Sequence, residues 1–300
     1  MHATGLHDHS GGAAIRAAVK ARETAVVSDR VVISIADGIA DVRLNRPDKR
    51  NALDREQFAS IAEAGERLKG EPGVRVVVLS GEGESFCAGL DFSIFGEMAG
   101  GQGTGADRDR GNPGAMSNGA ITHLAQQICW VWQELPVPVI AAMHGHALGG
   151  GLQLALGADI RIAHPDTKLS VRELHWGITP DMTGTFMLTR LVRNDLAREL
   201  TYTARVFDAR EGHELGLVTR LSDQPYDDAT GLAREIAARN PDGVRGVKRL
   251  FNRMFTDGAA EQFADERRVI GSLIGSRNQV EAVTANIEGR PPVFADDHDD

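Results

Sequence analysis

Apolar positions along this chain switch between two periods, and the switches mark its elements. Residues 30–36 (RVVISIA) and 39–44 (IADVRL) are β-rich runs on either side of Asp37-Gly38, a dipeptide suited to the tight turn of a hairpin. A polar loop, 45–51, follows. Asp54, with Gln57 three residues later, predicts a capped helix start. Phe58, Ile61, Ala62, Gly65 and Leu68 then hold helical spacing until Pro72-Gly73 breaks it. Residues 74–79 (VRVVVL) read as a buried strand. A helix therefore lies between two apolar strands, the pattern of a βαβ unit in a parallel sheet. A glycine-rich loop, 80–91, comes directly after that strand. Residues 96–119 are rich in Gly, Asp, Arg and Asn and keep no apolar period, which fits either a lid over a site or plain disorder. Ile121, Leu124, Ala125, Ile128 and Trp132 restore a helix that ends before Pro136.

Residues 137–143 (VPVIAAM) predict a further buried strand, and Leu152, Leu154, Ala155, Leu156 and Ala158 a mostly buried helix. Between them stands His144-Gly145-His146-Ala147-Leu148-Gly149-Gly150-Gly151. Residues 159–163 (DIRIA) form another strand, and 169–174 (LSVREL) are short and partly apolar. Helices then dominate, at roughly 184–192, 195–203, 209–215, 227–239, 242–255 and 259–287, with a short strand at 217–221. The reading is an α/β protein. It has a flexible leader over 1–24, a core over 25–200, a helical region over 201–295 and an acidic tail over 296–300. The stripe Val269, Leu273, Ile274, Val280 and Val283 packs that helical region on its own core or on another subunit.

Composition narrows the class. A net charge of −9 argues against a nucleic-acid surface, which needs clustered Lys and Arg. Two cysteines, Cys87 and Cys129, cannot build a disulfide framework, so a reducing cytoplasm is the default. No apolar run approaches the ~20 residues of a membrane span, and the N-terminal residues lack the apolar segment of a secretory signal.

Candidate chemistry gathers in two loops at the ends of apolar strands. Gly149, Gly150 and Gly151 bring bare backbone to a helix N-terminus, where unpaired N–H groups can hold an oxygen that gains negative charge. They equally suit a helix that merely packs close to a strand. Loop 87–90 follows a different strand. If the two strands are neighbours, an N–H from each loop can bind one carbonyl oxygen, each donor worth about 3 kcal/mol of transition-state stabilisation. Glu173 is the candidate acid or base, because Leu169, Val171, Leu174 and Trp176 around it would desolvate it; the plain alternative is a surface pair with Arg172. Asp181 is either a second acid or the cap of the next helix. Gln153 can orient a substrate or a water but exchanges no proton near neutral pH. Gly-Lys-Ser/Thr, G-x-G-x-x-G and G-x-S-x-G patterns are absent here, Cys87 reads as packing, and His144 and His146 lack partners at metal-ligand spacing.

With these pieces in order, the chain resembles the crotonase superfamily, the enoyl-CoA hydratases and isomerases, over roughly residues 28–294. The matching motifs are Asn45-Arg46-Pro47 with Asn51-Ala52-Leu53, Phe86-Cys87-Ala88-Gly89-Leu90-Asp91, and Pro138 to Ala142. They continue with Gly145 and Ala147 to Gly151, Ala158-Asp159-Ile160-Arg161, Glu173-Leu174 with Gly177, Leu215 to Val218, and Glu288 to Phe294. The resemblance implies a spiral of ββα units with C-terminal helices, assembled as a homotrimer or a dimer of trimers. It implies an acyl-CoA thioester as substrate, with coenzyme A part of that substrate and no separate cofactor or metal. Position by position, it puts the oxyanion hole on the backbone N–H groups of Leu90 and Gly150. It lays the coenzyme A moiety along Arg46, Lys49, Arg50, Ala52, Ala88, Gly89, Asp91 and Gly149, with the phosphates near Lys49 or Arg50.

The hydratases carry two glutamates; the second matches Glu173, and the first falls on Gln153. An amide cannot deliver a proton, whereas a double-bond shift needs a proton removed and returned, which one glutamate can manage on a thioester enolate. Glu173 and Asp181, eight apart, also look like the acid pair of the dienoyl-CoA isomerases, although that subfamily has an acidic residue where this chain has Gln153. The expected activity is therefore isomerase-type, with Glu173 as main proton carrier, Asp181 as its partner and Gln153 orienting substrate or water. A hydratase with relaxed acid/base demands and a catalytically weak acyl-CoA binder are the alternatives.

Overall fold

Strand β1 (Glu23–Ser28) pairs antiparallel with β2 (Val31–Ala36), and β2 with β3 (Ile39–Leu44). Asp37 and Gly38, the turn residues between β2 and β3, take φ angles of 53° and 80°, the left-handed geometry that a two-residue hairpin turn demands. The computed structural model describes residues 23–99, 111–117, 119–256 and 258–294. Helix α1 (Arg55–Lys69) starts where the Asp54 carboxylate accepts from the Gln57 N–H at 2.8 Å. It returns the chain to β4 (Val76–Gly81), parallel to β3. After α2 (Phe92–Ala99) and α3 (Leu124–Glu134), β5 (Val139–Met143) lies parallel to β4. Next come β6 (His146–Leu148), α4 (Gly150–Leu156) and β7 (Ile160–Ala163), with β7 parallel to β5.

β8 (Lys168–Ser170) leads into a single 3₁₀ turn, Glu173–Trp176, then α5 (Gly184–Leu191), α6 (Asn194–Thr203) and β9 (Phe207–Asp208). α7 (Ala209–Glu214) and β10 (Arg220–Leu221) complete the α/β part. α8 (Pro225–Ala237), α9 (Pro241–Thr256), α10 (Ala259–Leu273) and α11 (Arg277–Glu288) follow. The main sheet runs β1-β2-β3-β4-β5-β7-β10, and a smaller one runs β6-β8-β9.

Both faces of the parallel strands are covered, which is why their sequences show unbroken apolar runs. On β4, Val77 and Leu79 face the large core with α1 and α3, while Val76 and Val78 pack with Ala229, Ala233 and Ala237 of α8. The three alanines let α8 lie close to the sheet. Gly65 of α1 faces Val131 of α3 so closely that a Cβ there would come within 2.4 Å of a Val131 methyl carbon.

Three sequence expectations need correction. The leader does not extend to residue 24, because β1 begins at Glu23 and is hydrogen-bonded to β2; residues 1–22 lie outside the described residues. The stretch between the strand and the glycine helix is not a bare junction, since His146–Leu148 forms β6 beside β8. The long helix expected over 259–287 is two, divided where Gly275 takes a φ of 75° and Ser276 caps α11 by accepting from the Gln279 N–H. Of the stretch 96–119, residues 96–99 belong to α2, whereas 100–110 and 118 lie outside the described residues, and with them the choice between a lid and disorder; the tail 296–300 lies outside them as well. Among the described residues no helix is long and apolar enough to cross a membrane.

Candidate active site

The two glycine loops meet at the C-terminal ends of β4 and β5, neighbours in the sheet. The segment after β4 is held between two others. Cys87 N–H donates to His146 C=O at 2.9 Å, and Leu148 N–H donates back to Cys87 C=O at 3.2 Å. On its other side, Leu53 N–H donates to Gly89 C=O at 2.8 Å, and Asp91 N–H to Leu53 C=O at 3.0 Å. In extended backbone successive groups alternate sides, so bonding through Gly89 and Asp91 turns the Leu90 N–H away from Leu53. Gly89, with a φ of 93°, lies against Leu148 and Gly150: a Cβ there would stand 2.5 Å from the Leu148 oxygen and 3.8 Å from the Gly150 nitrogen. Gly150 opens α4, so its N–H has no acceptor within the helix. Leu90 and Gly150 thus stand on adjoining loops that line the same cavity.

The glycines divide their work. Gly151 answers to close packing, since a Cβ there would lie 2.2 Å from the Cys87 oxygen. Gly149 answers to the site: its φ of 51° is left-handed, and a Cβ would come 3.3 Å from Oε1 of Glu173.

The cavity measures about 850 Å³. Lys49, Arg50, Ala52, Ala88, Gly89, Leu90, Asp91, Gly149, Gly150, Glu173 and Asp181 all line it. Lys49 and Arg50 are exposed at its rim. Arg46 does not line it; its guanidinium is a strut, donating to Asp91 Oδ2 at 2.6 Å and to the Ala52 carbonyl at 3.0 Å. Asn51 pins the same loop, accepting from Arg46 N–H and donating to the Glu82 and Ser85 carbonyls. The inner wall is apolar: Phe95 stacks on Trp176 with ring centroids 4.3 Å apart, and Phe58, Ile178, Met182 and Ile270 close around them.

Glu173 stands on the 3₁₀ turn and is 5% exposed. It makes no pair with Arg172, whose guanidinium donates instead to the Ala204 carbonyl at 2.9 Å. Burial pushes the Glu173 pKa up to about 7, against the hydrogen bonds it accepts. Its Oε1 accepts from Gln153 Nε2 at 2.6 Å, and its buried Oε2 has no partner among the described residues. The Gln153 carbonyl oxygen accepts from Met182 N–H at 3.0 Å. Both ends of that amide are thus spent on protein groups, and Gln153 steers Glu173 rather than facing the cavity.

Asp181 does not cap α5, whose N-cap is Thr183; its Oδ2 lies 3.5 Å from Nε2 of His123. Cys87 is buried, donates to the Asn51 carbonyl, and has its thiol pushed up to about 12 by burial, so it is packing and no nucleophile. His146 bonds Ser85 and His144 bonds the Gly83 carbonyl. No group of three or more His, Cys, Asp or Glu side chains among the described residues is placed to hold a metal ion.

Sequence reasoning passed over His123, Glu266, Met182 and Ile270. The first left a signal, a residue three places before Gln126 at a helix start, although histidine is an unusual member of a capping box. Ile270 reaches the cavity from α10, and nothing local announces that.

A family model described as enoyl-CoA hydratase/isomerase matches residues 34–297. The chain is 32% identical over 271 residues to a probable enoyl-CoA hydratase of Mycobacterium leprae, covering 89% of this chain and 98% of the relative. It is 31% identical over 264 residues to the human mitochondrial methylglutaconyl-CoA hydratase, covering 86% of this chain and 74% of that one. Its fold is similar to an enoyl-CoA hydratase/isomerase structure from Pseudoalteromonas atlantica at a TM-score of 0.75 and 26% identity, over 89% of this chain and all of that one. The motifs, the paired glycine loops and these likenesses agree: the chain belongs to the enoyl-CoA hydratase/isomerase family and has the crotonase fold.

Proposed function

We propose that this chain is an acyl-CoA enzyme that shifts a double bond by carboxylate-mediated proton transfer. The thioester oxygen lies between the N–H groups of Leu90 and Gly150, while coenzyme A runs along the loop at 49–52 and the 88–91 segment. The Glu173 carboxylate removes a proton from an acyl carbon, and the electron pair moves to the thioester oxygen as an enolate that the two N–H groups stabilise. Return of a proton to a different carbon, from Glu173 or from Asp181, completes the shift. A pKa of about 7 suits both halves, because the group is then neither a feeble base nor a feeble acid near neutral pH.

One observation carries this reading. Glu173 is buried at the cavity with one oxygen unpartnered among the described residues, and the residue at the position of the first hydratase glutamate is an amide already consumed in holding it. Hydration is the second reading, favoured by the hydratase names of the relatives and by Asp181, a second carboxylate on the same cavity wall. Purified protein offered 3-enoyl- and 3,5-dienoyl-CoA should move the double bond faster than it hydrates crotonyl-CoA. Rapid hydration without migration overturns the isomerase reading.

Self-association to a homotrimer or a dimer of trimers belongs to the same proposal. Its support is the exposed stripe Val247, Leu250, Phe251 and Met254 on α9, which recur with the helical turn on one face and are all more than half exposed. Light scattering should return a mass of three or six chains.

A further inference from the structure

We infer that His123 is a positioning residue for this reaction: its own helix cap puts the ring proton on Nε2, beside Asp181, where it donates to that carboxylate and holds it at the cavity wall when substrate is bound. The inference rests on the reading of Asp181 as the proton-transfer partner of Glu173.

His123 is the N-cap of α3, and the cap is reciprocal. Its Nδ1 accepts from the Gln126 backbone N–H at 3.0 Å, while the Gln126 side-chain oxygen accepts from the His123 N–H at 3.2 Å. A backbone amide has a proton to give and no lone pair to offer, so Nδ1 must be the unprotonated nitrogen. The ring proton therefore sits on Nε2, on the far edge of the imidazole. Nε2 lies 3.5 Å from Asp181 Oδ2, with the two side chains 5% and 15% exposed. That is a contact and not yet a hydrogen bond, and catalytic contacts of this kind often tighten only when the ligand is bound.

Cap strength alone does not call for histidine here. Asparagine, aspartate and serine are the favoured N-caps, and their short side chains end at the capping atom. The imidazole caps with one nitrogen and has a second donor left for the cavity wall.

The surroundings make a donor at Asp181 consequential. Glu173 and Glu266 both feel the Asp181 charge. Glu266 is bound by Thr183 N–H, Gln126 Nε2 and Thr185 Oγ1. Arg267 donates to Gln126 Oε1 at 2.8 Å rather than to Asp181. Of these groups, His123 is the one whose ring nitrogen lies against the Asp181 carboxylate.

His123→Asn tests this, because asparagine keeps the cap and withdraws the Nε2–H. We expect this variant to keep the wild-type melting temperature and KM while kcat falls about tenfold, as for loss of one hydrogen bond to a charged group. In an Asp181→Asn background the same substitution should change kcat no further. His123→Ala, which removes the cap as well, should also melt lower. Impaired D181N with wild-type kcat in H123N overturns this inference alone. An equal tenfold loss in both backgrounds overturns it too, since His123 would then act without Asp181. D181N at the wild-type rate overturns the reading of Asp181, and the inference with it.

Discussion

Glu173 and Glu266 are two buried carboxyl groups in one molecule, both lifted to a pKa of about 7 by burial, and they are built for opposite ends. Glu266, on α10, has both oxygens engaged: Oε1 by the Thr185 hydroxyl at 2.6 Å, Oε2 by Gln126 Nε2 at 3.0 Å and Thr183 N–H at 3.1 Å. It bolts α10 to the start of α5 and to α3. Glu173 lines the cavity with Gly149 and Gly150 and is held at one oxygen only, by Gln153, while its other, buried oxygen has no partner among the described residues. A raised pKa therefore marks burial at both places, and does not by itself mark chemistry. What separates them is an unspent lone pair on the wall of a space large enough for a substrate.

That contrast breaks most visibly under amide substitution. Glu173→Gln keeps the shape and removes the proton carrier, so kcat for double-bond migration should fall by about a thousandfold while acyl-CoA binding persists. An unchanged rate would leave a binder rather than an enzyme. The pH profile sharpens the comparison next. Because the base form of Glu173 starts the reaction, kcat/KM should rise through a pH of about 7 and level above it. Glu266→Gln should leave that limb in place; its disappearance would transfer the catalytic titration to the wrong carboxyl.

The smallest effect is on stability. A carboxyl whose folded pKa is raised stabilises the fold fully below its unfolded pKa, and that contribution is lost as pH rises through the folded value. The wild-type melting temperature should therefore fall between about pH 4.5 and pH 8, and Glu266→Gln should flatten the fall while retaining most activity. A steeper fall in that variant would contradict the account of Glu266 as a buried, titrating bolt.

Much of the fold was legible because its strongest signals are local. The hairpin turn at Asp37-Gly38, the cap at Asp54 and the unbroken apolar run of β4 each state their geometry within a few residues. β1 and β6 were missed for the opposite reason: each gains its hydrogen bonds from a partner strand, and neither short segment has a period that announces it. Residues 259–287 kept an apolar stripe through Gly275, and only the cap at Ser276 shows where one helix stops. In the candidate site, Glu173, Asp181 and the two glycine loops could be chosen from residue type and neighbours. Arg46 could not be told from its cavity-lining neighbours, because its role as a strut depends on Asp91, 45 residues away. Gln153 was expected to meet substrate, and only the fold, by bringing Met182 N–H and Glu173 to its two ends, shows it spent on protein. His123 and Glu266 reach the region from α3 and α10, a convergence that no local spacing encodes.

The account stands or falls on where a thioester oxygen goes, so its most direct test is a crystal structure of the protein with an acyl-CoA it cannot turn over. The oxygen should lie within about 3 Å of both the Leu90 and Gly150 nitrogens, with Glu173 Oε2 facing the acyl carbons. A thioester oxygen bound away from those two nitrogens, or a Glu173 side chain swung out into solvent, would contradict it.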